Sequence, residues 1–466
     1  MPLALETASQ LTQLFRRRQA SPVEVTQAVL DRIGSLNERF NIYCVVDAER
    51  ALEAAAQSEK RWLSGNPLSE LDGVPTSIKE LQITRDWPTS RSSAVPEFQI
   101  TPGEDAPGVA NLRAAGAVLL GKTTSPEIGW KGVTDSPRYG ITRNAWDPTK
   151  TAGGSSGGAA AAAALGLGVL HTGSDGGGSI RIPAAFNGVV GIKASFGRVP
   201  VYPPSPFGLL SHVGPIARTV ADCASMLQVM MRPDPRDGTS LPPLDRLNVD
   251  PIDLATLRIA YSPNLGNAKC DLEVLASVEG AIDLLRRAGA SVTEVGQVFD
   301  DPLPAFQTLW FSACAASVAH LPETSLDLLD PGLREAADLG ARMSSVDVVG
   351  AHFARMKLMA QMRQFHVDYD VLITPAMPIT AFDADLQVAD ASQRWWMEWT
   401  PFTYPFNITG QPAASIPCGL SSQQLPIGLQ IVGRAYDDQT VIGAAAAVEA
   451  LLPKQPAPSA LAKVAA

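Results

Sequence analysis

The 466-residue chain has few cysteines, no excess of basic residues and no long apolar run, and each shortage removes a class of function. Its five cysteines (Cys44, Cys223, Cys270, Cys314, Cys418) are odd in number, scattered and never spaced C-x-x-C. Neither a disulfide framework nor a thiol-based zinc or redox site is expected, and the thiols suit a reducing compartment. The net charge of −10 and pI near 5.1 argue against holding a polyanion through a general positive field, so nucleic acid is not an expected partner. No uninterrupted apolar run approaches the roughly 20 residues that cross a bilayer. The stretch from Ala159 to Leu170 is too short and is broken by Gly166 and Gly168. The order of a signal peptide is missing as well, because Leu11 to Leu14 precede Arg16–Arg18 instead of following them. The expectation is a cytoplasmic protein without membrane contact.

What the chain does have is glycine gathered around two serines. Thr151-Ala152-Gly153-Gly154-Ser155-Ser156-Gly157-Gly158 leads into an alanine run, and Gly173-Ser174-Asp175-Gly176-Gly177-Gly178-Ser179-Ile180-Arg181 follows it. Glycine this dense is entropically costly unless the backbone must turn sharply or approach something closely. The stretch therefore reads as an active site built on Ser155 and Ser179.

The elements around it indicate an α/β fold. Ser21-Pro22-Val23-Glu24 is a capping box with proline at the first helical position, opening a helix with Val25, Val29, Ile33 and Leu36 on one face. Residues 51–62 continue as a helix, and residues 73–80 read as a short strand that ends in Lys79-Glu80. A strand at 257–261, a helix over 272–287 and a strand at 291–295 form a β-α-β unit. Further strands are expected at 370–375 and 427–432, with Asp437-Asp438 capping a last helix that runs to Leu452. With no repeats and no clean linker, residues 1–452 are expected to form one domain with its catalytic core at about 70–220, and residues 453–466 a frayed tail.

Gly116 to Thr123 matches the phosphate-loop pattern G-x-x-x-x-G-K-[ST], which opens a nucleotide-binding alternative through Lys122. The middle residues Ala117-Val118-Leu119-Leu120 look like a strand instead of a loop, and Ser125-Pro126 follows where a helix should begin.

A serine attacks only when a base removes its proton. Gly153 to Gly157 and Gly154 to Gly158 both fit G-x-S-x-G, the elbow of a Ser-His-Asp esterase, but residues 367–466 contain no histidine to complete it. A buried lysine is the other option, since desolvation favours its neutral form. Lys79, where an apolar strand ends, is the candidate, and its alternative role is a strand-edge lysine that discourages pairing.

The chain resembles the amidase signature family. The resemblance rests on Gly73-Val74-Pro75 through Lys79-Glu80, Gly140 to Asn144 with Trp146-Asp147, the two glycine-serine motifs and Gly191-Ile192-Lys193-Ala194-Ser195. It continues in Gly214 to Arg218, Asn407 through Pro412 and Leu425 to Gln430, and so covers nearly the whole chain. It implies a single α/β/α domain with a mixed central sheet covered by helices on both faces. It also implies Ser179 as nucleophile, Ser155 as a bridging serine after a cis Gly154–Ser155 peptide, and Lys79 as base. Gly176, Gly177, Gly178 and Ser179 would turn their N–H groups into an oxyanion hole. Ser156, Asp175 and Arg181 would support the site by hydrogen bonding and charge. By position Trp130 and Phe207 are expected to line the acyl pocket, and Trp395, Trp396 and Trp399 fit core packing as well as substrate contact. The expected reaction is hydrolysis of a small amide, anilide or carbamate with an apolar or aromatic group, needing no metal or cofactor, with a homodimer left open. The family alternative is the amidase subunit of a tRNA-dependent amidotransferase, which needs partner subunits.

Overall fold

The computed structural model describes residues 3–266 and 268–462. Eleven strands form its main sheet: β1 (Tyr43–Val46), β2 (Pro75–Lys79), β3 (Val118–Thr123), β4 (Leu170–Asp175), β5 (Val190–Lys193) and β6 (His212–Ala217), then β7 (Arg258–Tyr261), β8 (Ser291–Glu294), β9 (Val371–Pro375), β10 (Ala413–Leu420) and β11 (Pro426–Gly433). Their order is β1-β3-β2-β4-β6-β5-β10-β11-β9-β7-β8. Pairing is parallel for β3/β2/β4 and β9/β7/β8 and antiparallel elsewhere, a mixed sheet as expected.

Strand side chains alternate between faces, and helices cover both. On β9, Val371 and Ile373 join one core with the helices over Val220–Met230, Leu272–Arg287 and Asp438–Leu451, whereas Leu372 joins another with Leu303–Val318 and Pro331–Ala341. The capped helix forms over Pro22–Phe40, with Ser21 and Glu24 bonding each other's backbone N–H. Asp437 caps the helix that closes the first core.

The alanine run folds as a helix over Gly157–Leu165, every residue of it buried. Small side chains let this helix lie close against its neighbours, and a larger residue there would overpack the core. Of the residues expected as a frayed tail, Ser459–Ala462 form a helical turn with Ala460 buried; residues 463–466 lie outside the described residues. No helix among the described residues is long and apolar enough to cross a membrane.

Candidate active site

Parallel pairing brings the site together. Thr76 and Ser77 of β2 register with Leu170 and His171 of β4, so the carboxyl ends of both strands reach one edge of the sheet. Ligands of open α/β sheets bind at that edge. There β2 delivers Lys79 and β4 delivers Asp175 with the glycine loop that follows.

Lys79 is fully buried, and its Nζ lies 2.7 Å from Ser155 Oγ, 2.8 Å from Ser156 Oγ and 2.9 Å from Ser174 Oγ. Burial pushes its pKa well below the ordinary lysine value, while the charge of Asp175 pulls it partly back. The neutral amine is thereby favoured, with a lone pair facing serine hydroxyls.

The Gly154–Ser155 peptide is cis. A Cβ on Gly154 would come within 2.6 Å of the Val133 backbone, so no other residue fits without displacing that strand of chain. The Ser156 N–H donates to the Ser179 carbonyl at 3.1 Å, tying the two serine loops together. Ser179 is buried beside Gly178, whose φ of +132° and close approach to the Thr403 side chain again require glycine.

Asp175 and Arg181 form a fully buried ion pair, not a surface pair. Arg181 Nε and Nη2 each reach the carboxylate at 2.9 Å; its remaining N–H groups go to Thr403 O, Gln430 Oε1 and Asn407 Oδ1 at 2.7–2.9 Å. All five guanidinium donors are used. Burial alone would raise the Asp175 pKa, but the charge and hydrogen bonds of Arg181 hold it below the usual carboxylate range.

This pair changes the expected oxyanion loop. Asp175 Oδ1 accepts the Gly178 N–H at 2.7 Å, and Oδ2 accepts that of Ile180 at 3.2 Å. The Gly178 donor is therefore committed to fixing the loop and is not turned toward a substrate.

The nearby histidines have other partners. His171 Nδ1 bonds Ser77 Oγ at 2.8 Å, and burial lowers its pKa to about 3. His212 Nδ1 bonds the carbonyls of Leu210 and Asp175. A Ser-His-Asp arrangement is not formed by either.

A cavity of about 880 Å³ opens on this edge, lined among others by Ser155, Ser174, Gly129, Gly176, Phe207 and Trp310. Phe207 stacks on Trp310 with centroids 3.9 Å apart, giving the cavity an aromatic wall. Phe207 thus takes its expected place, but Trp130 does not. Its indole lines a separate pocket and packs on Gly332, while its carbonyl accepts the Trp310 indole N–H at 3.0 Å. The turn over Glu127–Gly129, with Ile128 at φ +46°, precedes it, and Trp310 occupies the wall expected of Trp130. Trp395, Trp396 and Trp399 are buried, and Trp396 packs against Trp310 and Phe306 behind Gly177. Their role is core packing that supports the glycine loop.

The phosphate-loop pattern is overturned. Val118–Thr123 is a buried strand, and Lys122 is spent inside the protein, 3.3 Å from Glu80. Glu80 also accepts the Ser90 N–H and hydroxyl. Lys122→Ala is expected to cost about 3–5 kcal/mol of stability by leaving Glu80 buried without its counter-charge. Urea unfolding should show this loss, with added ATP leaving the midpoint unchanged for either protein.

Several contributors carried little signal in the sequence. Ser174 stands inside the glycine-serine stretch, and Asn407 and Gln430 stand in motifs already noted, yet only the fold places them on Lys79 or Arg181. Trp310 lies in a helix with nothing local to mark it.

Comparison with known proteins agrees with this geometry. The Amidase family pattern matches residues 24–442. An acylamidase of Rhodococcus erythropolis is 35% identical, covering 97% of both chains. A glutamyl-tRNA(Gln) amidotransferase component from Salinispora tropica, its amidase-like subunit, is 34% identical, covering 96% of this chain and 97% of its own. The crystal structure of a bacterial aryl acylamidase of the amidase signature enzymes superposes with a TM-score of 0.88 at 29% identity, over 97% of this chain and 98% of the other. Fold and matches together define a hydrolase acting on amide C–N bonds. The chain belongs to the amidase signature family.

Proposed function

We propose that the chain hydrolyses small carboxylic amides through a seryl acyl-enzyme, with Ser179 as nucleophile, Ser155 as proton relay and Lys79 as base. The observation that carries this reading is the fully buried Lys79 amine within 2.7–2.9 Å of three serine hydroxyls, where its neutral form is favoured. As Ser179 Oγ attacks the amide carbonyl, its proton passes to Ser155 and that of Ser155 to Lys79. Ser155 then protonates the departing nitrogen, and water hydrolyses the ester by the reverse transfers. Gly176, Gly177 and Ser179 remain as oxyanion donors once Gly178 is given to Asp175, each such donor being worth about 2.7–4 kcal/mol of barrier. Ser156 holds the Lys79 amine and, through its N–H, the Ser179 loop. The Asp175–Arg181 pair sets the glycine loop in place.

The aromatic wall of Phe207 and Trp310 suits an apolar or aromatic acyl or amine group, with anilides and carbamates as fitting variants. The steps use side chains alone, without metal or organic cofactor. Every group in them comes from one chain and from residues 1–452, so neither a homodimer nor a second domain is required. The five free thiols fit a cytoplasmic location.

A second reading, the amidase component of a tRNA-dependent amidotransferase, is favoured by the 34% identity to such a protein. It differs in needing partner subunits and glutamine. Labelling the purified chain with a fluorophosphonate and mapping the adduct by mass spectrometry tests the mechanism; the adduct is expected on Ser179, and one on Ser155 reverses the two roles. Turnover of simple anilides by the lone chain separates the first reading from the second, which requires glutamine and partners.

A further inference from the structure

We propose that Arg91 makes an anion subsite in the same cavity, selecting amides whose apolar body carries a carboxylate; this rests on that cavity being where the amide is cleaved. Arg91 lines the cavity together with Ser155, Ser174 and Gly176, and no aspartate, glutamate or lysine is among the lining residues described. Other partly or fully buried arginines are paired: Arg61 with Asp72, Arg113 with Asp105, Arg181 with Asp175 and Arg198 with Asp438. Arg32 and Arg355 instead donate to main-chain carbonyls. Arg91 is half-buried, and among the described residues no carboxylate acts on it; burial alone influences its proton affinity. A guanidinium withdrawn from water without a counter-charge is costly, and that cost is removed when a ligand supplies the anion.

The backbone holds this side chain at the cavity. Arg91 and Ser92 both sit at positive φ, +54° and +58°, a conformation that non-glycine residues rarely adopt. The Ile128 N–H donates to the Arg91 carbonyl at 2.8 Å, Ser92 Oγ bonds Ser125 Oγ at 2.9 Å, and the Ser92 N–H donates to Ser90 Oγ. Ser90 is in turn fixed by Glu80, the neighbour of Lys79 in sequence. The loop is thus braced to the strand that delivers Lys79. Strain held at a pocket in this way marks a functional position. Gln82 adds a second polar group in the cavity, its Oε1 buried without a partner and suited to accept an N–H of the substrate. With the Phe207–Trp310 stack as apolar wall, the cavity offers an aromatic face, an acceptor and a fork of donors for a carboxylate.

Three substrates test this: hexanoyl-4-nitroanilide, the mono-4-nitroanilide of adipic acid and hexanoyl-4-aminobenzoate, which are neutral, acidic on the acyl side and acidic on the amine side. Arg91→Met is expected to lower kcat/KM for one acidic member roughly 10- to 100-fold, chiefly through KM, and to leave the neutral anilide within about twofold. Arg91→Lys should keep part of the preference. Equal losses on all three substrates, or no acidic member affected more than the neutral one, overturns the proposal. Hydrolysis of the neutral anilide by wild type and variant upholds the catalytic reading separately, and its absence together with inertness toward both acidic members overturns the catalytic reading and this one with it.

Discussion

Ser179→Ala is expected to lower kcat toward any amide by roughly 10³- to 10⁶-fold, the range seen when a hydrolase loses its nucleophile. Folding should change little, because the link between the serine loops uses the Ser179 carbonyl, which alanine keeps. Ser155→Ala removes a different part of the chemistry. It breaks the 2.7 Å contact to Lys79 and the route by which a proton reaches the leaving nitrogen, but leaves Ser179 Oγ in place. An amine must be protonated to depart, whereas 4-nitrophenolate departs without help. The ratio of 4-nitrophenyl ester to amide hydrolysis should therefore rise in Ser155→Ala, while Ser179→Ala loses both activities together. Stopped-flow measurement of the acylation burst distinguishes the two variants. A burst that persists in Ser179→Ala and vanishes in Ser155→Ala would exchange their roles.

Much of this site was legible in the sequence, because the groups that do chemistry stand in short motifs with unusual composition. Dense glycine around Ser155 and Ser179 announces a backbone that must bend and be approached, and the structure gives the reasons at Gly154 and Gly178. Capped helices were legible for a similar reason, since Ser21 with Glu24 and Asp437 with Thr440 act locally. The partners of Arg181 were not, because Thr403, Asn407 and Gln430 lie more than 200 residues away and meet it only when β11 and the chain before β10 pack over the glycine loop. The helix over Ser345–Asp368 was equally opaque. It exposes Val346, Val349, Phe353 and Met356 and buries His366, so its sequence shows no polar outer face to mark it. Trp130 illustrates a third limit. Position along the chain placed it at the cavity, but the turn at Ile128 directs its ring elsewhere, and only coordinates reveal that.

Lys79→Met is expected to abolish amide hydrolysis to a similar extent, by roughly 10³-fold or more, since Ser155 then has no base to accept its proton. Its effect on stability has a separate signature in pH. In the native protein burial pushes the Lys79 pKa well below 10.5, whereas the unfolded chain keeps the ordinary value. Between these two values the unfolded state binds a proton that the native state does not. The cost of burying Lys79 is therefore greatest at and below the native pKa, and it fades as pH rises toward 10.5. Wild-type stability should gain about 1.4 kcal/mol per pH unit from this group across that window, and Lys79→Met should lack the gain. All other titrating groups are common to both proteins and cancel in the difference. Urea unfolding of the two at pH 7, 8 and 9 checks this, with wild type improving relative to the variant at each step. A constant difference would mean that Lys79 stays protonated in the native state, and a protonated lysine has no lone pair with which to deprotonate Ser155. The same variant also tests the activity limb: wild-type kcat/KM should rise with pH through the lowered Lys79 pKa and hold a plateau above it, because only the neutral amine can act as base.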